Sequence, residues 1–437
     1  MLANGTGSPM TSESRPRQTP FWTEGAAVVG MFLAAIGLAH REAFFSIPGA
    51  VLLLTGFTLL LVAALQPRHE PGRLYPVLFV VLCVVSALAP YDPNGLNVPE
   101  AALTLGAAVA FYALGLSPRT RRARLYAAGA LLVLAHVHFL GRFATPQHED
   151  VWHFLNGGID LLARGANPYL GVPIVEGGVH KTLTFTYPPG ALLELAPFRL
   201  LLGDVRWATI AAEAAMVALW GWFLHSRSSL TRARQALVLL PLALPRTSQA
   251  FYIFSNHELE LLALALAALV LAACRRDLAA GALLGLGIAS KQYFLIFPVL
   301  FLLPELRRRS LVVAATVAAV IVVPFLLWAP GPFFSAVLGN ISQAPVLDRL
   351  TLWAMLAHAG VVLPRSALTL MAAAALAVAP VAAWRARADL RLSMMACGLS
   401  LALFALCSSF AAYNYYAYAL AFVTWGLLLP RRLGLPA

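Results

Sequence analysis

Gly190-Ala191-Leu192-Leu193-Glu194-Leu195-Ala196-Pro197-Phe198-Arg199-Leu200-Leu201-Leu202 is the stretch on which the architecture turns. Whether it crosses a bilayer fixes the side on which every later residue lies. It is apolar enough to resemble a span, but crossing the hydrocarbon core takes roughly 20 mostly apolar residues. This run is shorter, and Glu194, Pro197 and Arg199 interrupt it. We read it as an interfacial or re-entrant helix.

Outward from it, the chain is a succession of apolar runs joined by short connectors. Apolar residues make up 60% of the 437 and charged residues only 11%, with a mean hydropathy of +0.78. So few charges do not solvate the surface of a globule of this size. The class expected is an all-α polytopic membrane protein. About fourteen spans are expected, near 25–39, 43–65, 74–89, 100–116, 124–141, 206–224, 236–254, 259–274, 277–290, 292–304, 311–329, 366–384, 393–409 and 412–429.

The net charge of +12 would suggest nucleic acid in a soluble chain. Here it follows the topology instead. Threaded from an inside N-terminus, Arg68/Arg73, Arg119 to Arg124, Arg227 to Arg234, Arg275/Arg276, Arg307 to Arg309, Arg385 to Arg391 and Arg431/Arg432 all fall in the cytoplasm, as the positive-inside rule requires. Counting Gly190–Leu202 as a crossing would move Arg227 to Arg234 outside. Excluding it leaves one long extracytoplasmic loop, 142–205, and places both termini in the cytoplasm.

Met1 to Pro20 is rich in Ser, Thr, Pro and Gly and too weakly basic to head a secretory signal, so residues 1–22 read as a disordered cytoplasmic tail. The four cysteines, Cys83, Cys274, Cys397 and Cys407, show no metal or redox spacing and read as small hydrophobes.

Within the outer loop, Val151, Phe154, Leu155, Ile159 and Leu162 fall on one helical face, with His153, Asn156, Asp160 and Arg164 opposite. A helix over Val151 to Arg164 lying flat on the membrane is expected. Glu149 and Asp150 stand at its start, where a carboxylate caps free N–H groups. A plain N-cap is one reading of Asp150; a catalytic carboxylate is the other. The second gains from the surrounding Gly157-Gly158, Gly165-Ala166-Asn167-Pro168-Tyr169 and Phe185-Thr186-Tyr187-Pro188-Pro189.

Asp150-Val151-Trp152-His153-Phe154, Gly165 to Tyr169 and Phe185 to Pro189 together resemble the signature loop of glycosyltransferase family 87, a group of C-type (GT-C) membrane enzymes that includes polyprenyl-phosphate-mannose-dependent mannosyltransferases. The likeness spans roughly residues 120 to 430. It takes in Asn256-His257-Glu258-Leu259, the Gly-rich Ala279 to Gly287 and Ser290-Lys291. It implies a GT-C module over 118–437, with the four spans of 23–117 as an extension ahead of it. By that resemblance Asp150 is the catalytic base, with Glu149 as the fallback.

Asn340-Ile341-Ser342-Gln343 matches the family only loosely. Near the C-terminus, Ser409 to Tyr416, including Tyr413 and Asn414, stands where such enzymes often carry paired histidines.

Moving a sugar from a lipid phosphate needs a base for the acceptor proton and cations or dipoles for the departing phosphate. Lys181 and Lys291 are the chain's only lysines, and both fall on the outer side. Lys291 and Arg246 are the candidates for the phosphate. The plain alternatives are a snorkelling lysine and an Arg246 paired with Glu258 or Glu260. His153, Tyr187, Asn256, His257, Glu258, Gln292, Asn340, Tyr413 and Asn414 complete the expected substrate-binding set. Glu213 is expected to pair with Arg206 or Arg199, and Asp160 with Arg164 as an i, i+4 pair.

No cofactor and no metal are expected, although Glu149, Asp150 and His153 would be the ligands of choice for one. The reading is an inverting hexosyltransferase, mannose foremost. It takes its sugar from a polyprenyl-phosphate donor and delivers it to an extracytoplasmic lipid, glycan or protein hydroxyl. A transporter or lipid flippase is the rival from another class, and a lipid-linked oligosaccharide ligase or polymerase the rival within the same architecture.

Overall fold

A computed structural model describes residues 21–39, 46–64, 72–88, 97–114, 120, 123–142, 150–176, 179–227, 231–244, 257–292, 294, 308–339, 347, 349–385, 389–408 and 413–429. The chain is almost wholly helical. Five helices lead: α1 (Phe21–Ala39), α2 (Ile47–Ala64), α3 (Leu74–Leu88), α4 (Val98–Ala113) and α5 (Ala123–Arg142). Two shorter ones lie in the loop after α5, namely α6 (Asp150–Ala163) and α7 (Gly190–Leu202). Then follow α8 (Trp207–Arg227), α9 (Arg232–Leu239), α10 (Glu258–Ala273), α11 (Asp277–Ser290) and α12 (Arg308–Trp328). The last are α13 (Pro330–Gly339), α14 (Leu352–His358), α15 (Arg365–Arg385), α16 (Leu390–Cys407) and α17 (Tyr413–Leu428).

Among the described residues, four helices are long and apolar enough to cross a membrane: Ala123–Arg142, Trp207–His225, Arg308–Trp328 and Leu390–Cys407. Shorter apolar helices include Trp22–Gly37, Ile47–Ala63, Leu74–Leu88, Val98–Ala113 and Asp277–Ser290. The span expected at 236–254 differs. Its α-helix ends at Leu239, a 3₁₀ turn runs over Leu240–Ala243 with Pro241 inside it, and Leu244 is extended. Proline lacks the N–H that an α-helix would use there, which ends the regular ladder. The span expected at 292–304 falls mostly outside the described residues.

One large apolar core runs from Ala27 in α1 to Leu429 after α17. α1 packs on α2, α3 and α17, and α5 on α4 and α8, so the first helices share their core with the later ones. Close helix approach depends on small residues: a Cβ on Gly281 or Gly285 would meet the Ser310 or Ala314 carbonyl of α12 at 2.5 Å. Small residues of this kind let membrane helices come into backbone contact.

A second, smaller core is built by the loop between α5 and α8. Phe154, Leu155 and Ile159 of α6 meet Tyr169, Phe185, Tyr187 and α7 residues Ala191, Leu192 and Leu195, with Phe325 and Phe333 beyond. Edge-to-face ring pairs tie it together: Phe154–Tyr187 at 5.3 Å, Tyr169–Phe185 at 5.4 Å and Tyr169–Phe333 at 4.9 Å. Such pairs contribute about 0.5–1.5 kcal/mol each beyond burial. The apolar face of α6 is thus spent on protein, not on lipid as its periodicity suggested. Its expected polar face is not all wet either. Asn156 is buried, donating to the Trp152 carbonyl (2.9 Å) and accepting from the Val205 N–H (3.3 Å).

The all-α expectation also misses a hairpin. β1 (Val172–Glu176) pairs antiparallel with β2 (Val179–Leu183), Ile174 opposite Lys181. Val172 and Ile174 point into the second core while Pro173 and Val175 are exposed, the period of two that a half-buried strand requires. Two short helices, α13 and α14, lie in the segment between the spans expected at 311–329 and 366–384.

Candidate functional site

The polar centre of the molecule forms where the outer loop meets the ends of α10, α11 and α17. Lys291 follows directly on α11 and is 2% exposed, so it does not reach for water. Its ammonium pairs with Glu258 in the first turn of α10. It also donates to the Tyr187 hydroxyl at 3.2 Å and lies 4.5 Å from the centre of that ring. Asn414, in the first turn of α17, donates to the same Glu258 oxygen at 2.8 Å. Lys291 and Asn414 therefore meet on one carboxylate, with Tyr187 against the lysine, although Tyr187 and Asn414 lie more than two hundred positions apart.

Neighbouring contacts fix this cluster. The Tyr169 hydroxyl donates to the Tyr187 carbonyl at 2.7 Å. Gln292 spends its amide N–H groups on the Thr186 (3.1 Å) and Val337 (2.9 Å) carbonyls, pinning the loop to α13. At Gly190 a Cβ would sit 2.6 Å from the carbonyl group of Ala289, so only glycine lets α7 start against the end of α11.

Beside it lies a second group. His257, the residue before α10, is buried, with Nε2 2.9 Å from Glu194 Oε2 of α7. The two are in ionic contact but out of line for a hydrogen bond. Glu260 accepts from the Thr209 hydroxyl of α8 at 2.6 Å. His257 also stacks on Tyr187, 6.4 Å between centres. Burial pushes the His257 imidazole down, but Glu194 and Glu260 outweigh it with Lys291 opposing, and the net direction is upward.

Asp150 is the first residue of α6, exposed, its Oδ1 accepting from the Val151 N–H at 2.8 Å. The charge on Asp150 reaches the cluster. The Tyr187 hydroxyl is held well above its usual range by burial first and then by the carboxylates of Glu258, Asp150 and Glu260. Asp150 is thus linked to the cluster through Tyr187, on which its charge acts together with those of Glu258 and Glu260. His153, one turn on, sits edge-on to Trp152 at 5.0 Å with its Nε2 buried and in no hydrogen bond.

Of the remaining expected site residues, Glu149, Arg246, Asn256 and Asn340 lie outside the described residues, as does the side chain of Tyr413. The expected ion pairs rearrange. Glu213 pairs with His136 (2.8 Å), because Asp204 takes Arg206 and Asp160 takes Arg199 through two N–H groups at 2.7 and 2.9 Å. Arg164 donates only to the Asp160 carbonyl. Helix-to-helix geometry offers Asp160 a planar, bidentate partner that its own helix does not. Among the described residues no group of three or more His, Cys, Asp or Glu is arranged to hold a metal ion.

Glu194 and Thr209 were not singled out from the sequence, and Glu260 only as a possible partner of Arg246. Glu194 carried a signal, a carboxylate inside a short apolar run, which served only to argue against a crossing. Thr209 carried none.

The sequence model described as glycosyltransferase family 87 matches residues 185–409, slightly more than half of the chain. The matched segment contains Tyr187, Glu194, His257, Glu258, Glu260 and Lys291, while Asp150 precedes it and Asn414 follows it. No curated protein and no solved structure matches the chain.

Proposed function

Because the chain belongs to glycosyltransferase family 87, a family of membrane glycosyltransferases, we propose that it moves a hexose, mannose foremost, from a polyprenyl-phosphate donor to a lipid, glycan or protein hydroxyl. The reaction takes place on the extracytoplasmic side, within a bundle of about fourteen crossings whose termini are cytoplasmic. The observation that carries this reading is the placement of Asp150. It is an exposed carboxylate at the start of α6 whose charge acts on the buried Tyr187 hydroxyl, which in turn accepts from Lys291.

In this reading Asp150 accepts the proton of the acceptor hydroxyl as its oxygen bonds to the anomeric carbon. The bond from that carbon to the phosphate oxygen breaks on the opposite face, so the configuration inverts. The leaving phosphate keeps the bonding electrons, and the Lys291 ammonium and Tyr187 hydroxyl are the nearest described donors to meet it. Lys291 does this while still held by Glu258, which keeps a bare cation out of a low-dielectric site between turnovers.

The test is transfer of radiolabel from polyprenyl-phosphate hexose to a lipid extract by purified wild type and Asp150→Asn. Loss of transfer in the variant is expected. Equal transfer by both would overturn the role of Asp150, and no transfer from any donor would turn the reading toward a transporter.

A further inference from the structure

Glu194, His257 and Glu260 come from α7, the start of α10 and its first turn, and they hold buried polar atoms that the fold itself leaves unmatched. His257 Nδ1 and one oxygen of Glu260 make no hydrogen bond among the described residues, while His257 Nε2 and Glu194 Oε2, 2.9 Å apart, meet only each other and out of line. His257 is 1% and Glu260 6% exposed, so bulk water does not serve them. Leaving buried polar atoms unpaired is costly, and several around one point mark a place where something else supplies the partners.

The chemistry of that something can be read from the donors and charges. Two of the unmatched groups are carboxylate oxygens, which only accept, so the ligand must donate. An anion is excluded from this corner. The charged groups acting on this corner are Glu194 and Glu260 against His257 and Lys291, and Lys291 is already engaged by Glu258. A neutral group rich in hydroxyls meets both conditions, since each O–H can donate to a carboxylate while its oxygen accepts from an imidazole N–H.

We infer that Glu194, His257 and Glu260 form a hydroxyl-recognising subsite that holds the ring of the transferred sugar, leaving the donor phosphate on the Lys291 side. This rests on the donor reading above and orients that donor. The ring lies against α7 and α10, the phosphate against the end of α11, and the anomeric carbon between them in view of Asp150. The Thr209 hydroxyl acts as a positioning group, holding one Glu260 oxygen so that the other faces the ring.

The experiment is equilibrium binding, by titration calorimetry, of a short-chain polyprenyl-phosphate hexose and its monodeoxy analogues to the full-length protein in nanodiscs. Wild type, Glu194→Gln and Glu260→Gln are compared, with melting curves to report folding. At least one deoxy donor should bind wild type about tenfold more weakly than the parent, as expected of a site built to bond hydroxyls. That penalty should shrink below about twofold in a variant. If Glu260→Gln does not fold, Thr209→Val, which frees Glu260 without changing its charge, should blunt the same penalty.

Equal binding of parent and deoxy donors by wild type, a full penalty in every variant, or no binding of the donor at all would overturn the subsite. Hydroxyl-dependent binding without transfer to any acceptor would support it while overturning the proposed reaction.

Discussion

Lys291 and Glu258, the residue that follows α11 and the first residue of α10, form an ion pair whose side chains are 3% and 0% exposed. Such a pair is weak evidence for stability when whole and severe when broken, because the surviving partner is a buried charge without its counter-ion.

Replacing Lys291 with Met should therefore destabilise the protein by about 3–5 kcal/mol, and the double replacement Lys291→Met with Glu258→Gln should recover most of that loss. Thermal unfolding in detergent of the two single variants and the double variant measures the coupling. Additive losses would mean that the two side chains act independently.

Asp150→Asn should lower the transfer rate by about 10²–10⁴-fold, the usual range for removing a general base. The melting temperature should barely move. The side chain is exposed, and Asn caps a helix start about as well as Asp.

Gly190 tests how the outer loop is seated on the bundle. Gly190→Ala places a methyl group 2.6 Å from the Ala289 carbonyl group, so α7 must move away from α11. Because Tyr187 and Glu194 flank this contact, activity should fall several-fold for Ala and be lost for Val, at the modest stability cost of about 1–3 kcal/mol typical of overpacking. Activity and melting temperature, measured on the same preparations, separate the two effects.

The His257 imidazole is raised above its usual value of 6.5 by Glu194 and Glu260 against the effect of burial. A folded-state value above the unfolded one means that protonation stabilises the fold. That stabilisation is fully present below about pH 6.5 and is lost as pH rises through the folded value. The melting temperature should accordingly decline from mildly acid to alkaline pH, and His257→Gln should flatten the decline. A slope unchanged in the variant would assign the dependence to another group.

Much of this protein was legible along the chain. Composition points to lipid as its solvent, and the short, broken run Gly190–Leu202 sets apart the long loop between α5 and α8. The helical starts at Asp150 and Gly190 follow from caps and periodicity, which are local properties. Asp150, Tyr187, Glu258 and Lys291 are visible in the sequence as polar residues in an apolar chain, while the roles proposed for them rest on the family resemblance.

What only the tertiary structure decided is which of these residues meet. Charge pairing acts across space, so Asp160 chose Arg199 over the nearer Arg164, and Glu213 chose His136 over either arginine. The helix α6 looked amphipathic for a membrane surface, yet the aromatic cluster of Tyr169, Phe185 and Phe333 covers its apolar face with protein. Glu194 meets His257 and Thr209 meets Glu260 because α7 and the first turns of α8 and α10 pack together, a matter of helix packing that no local pattern encodes.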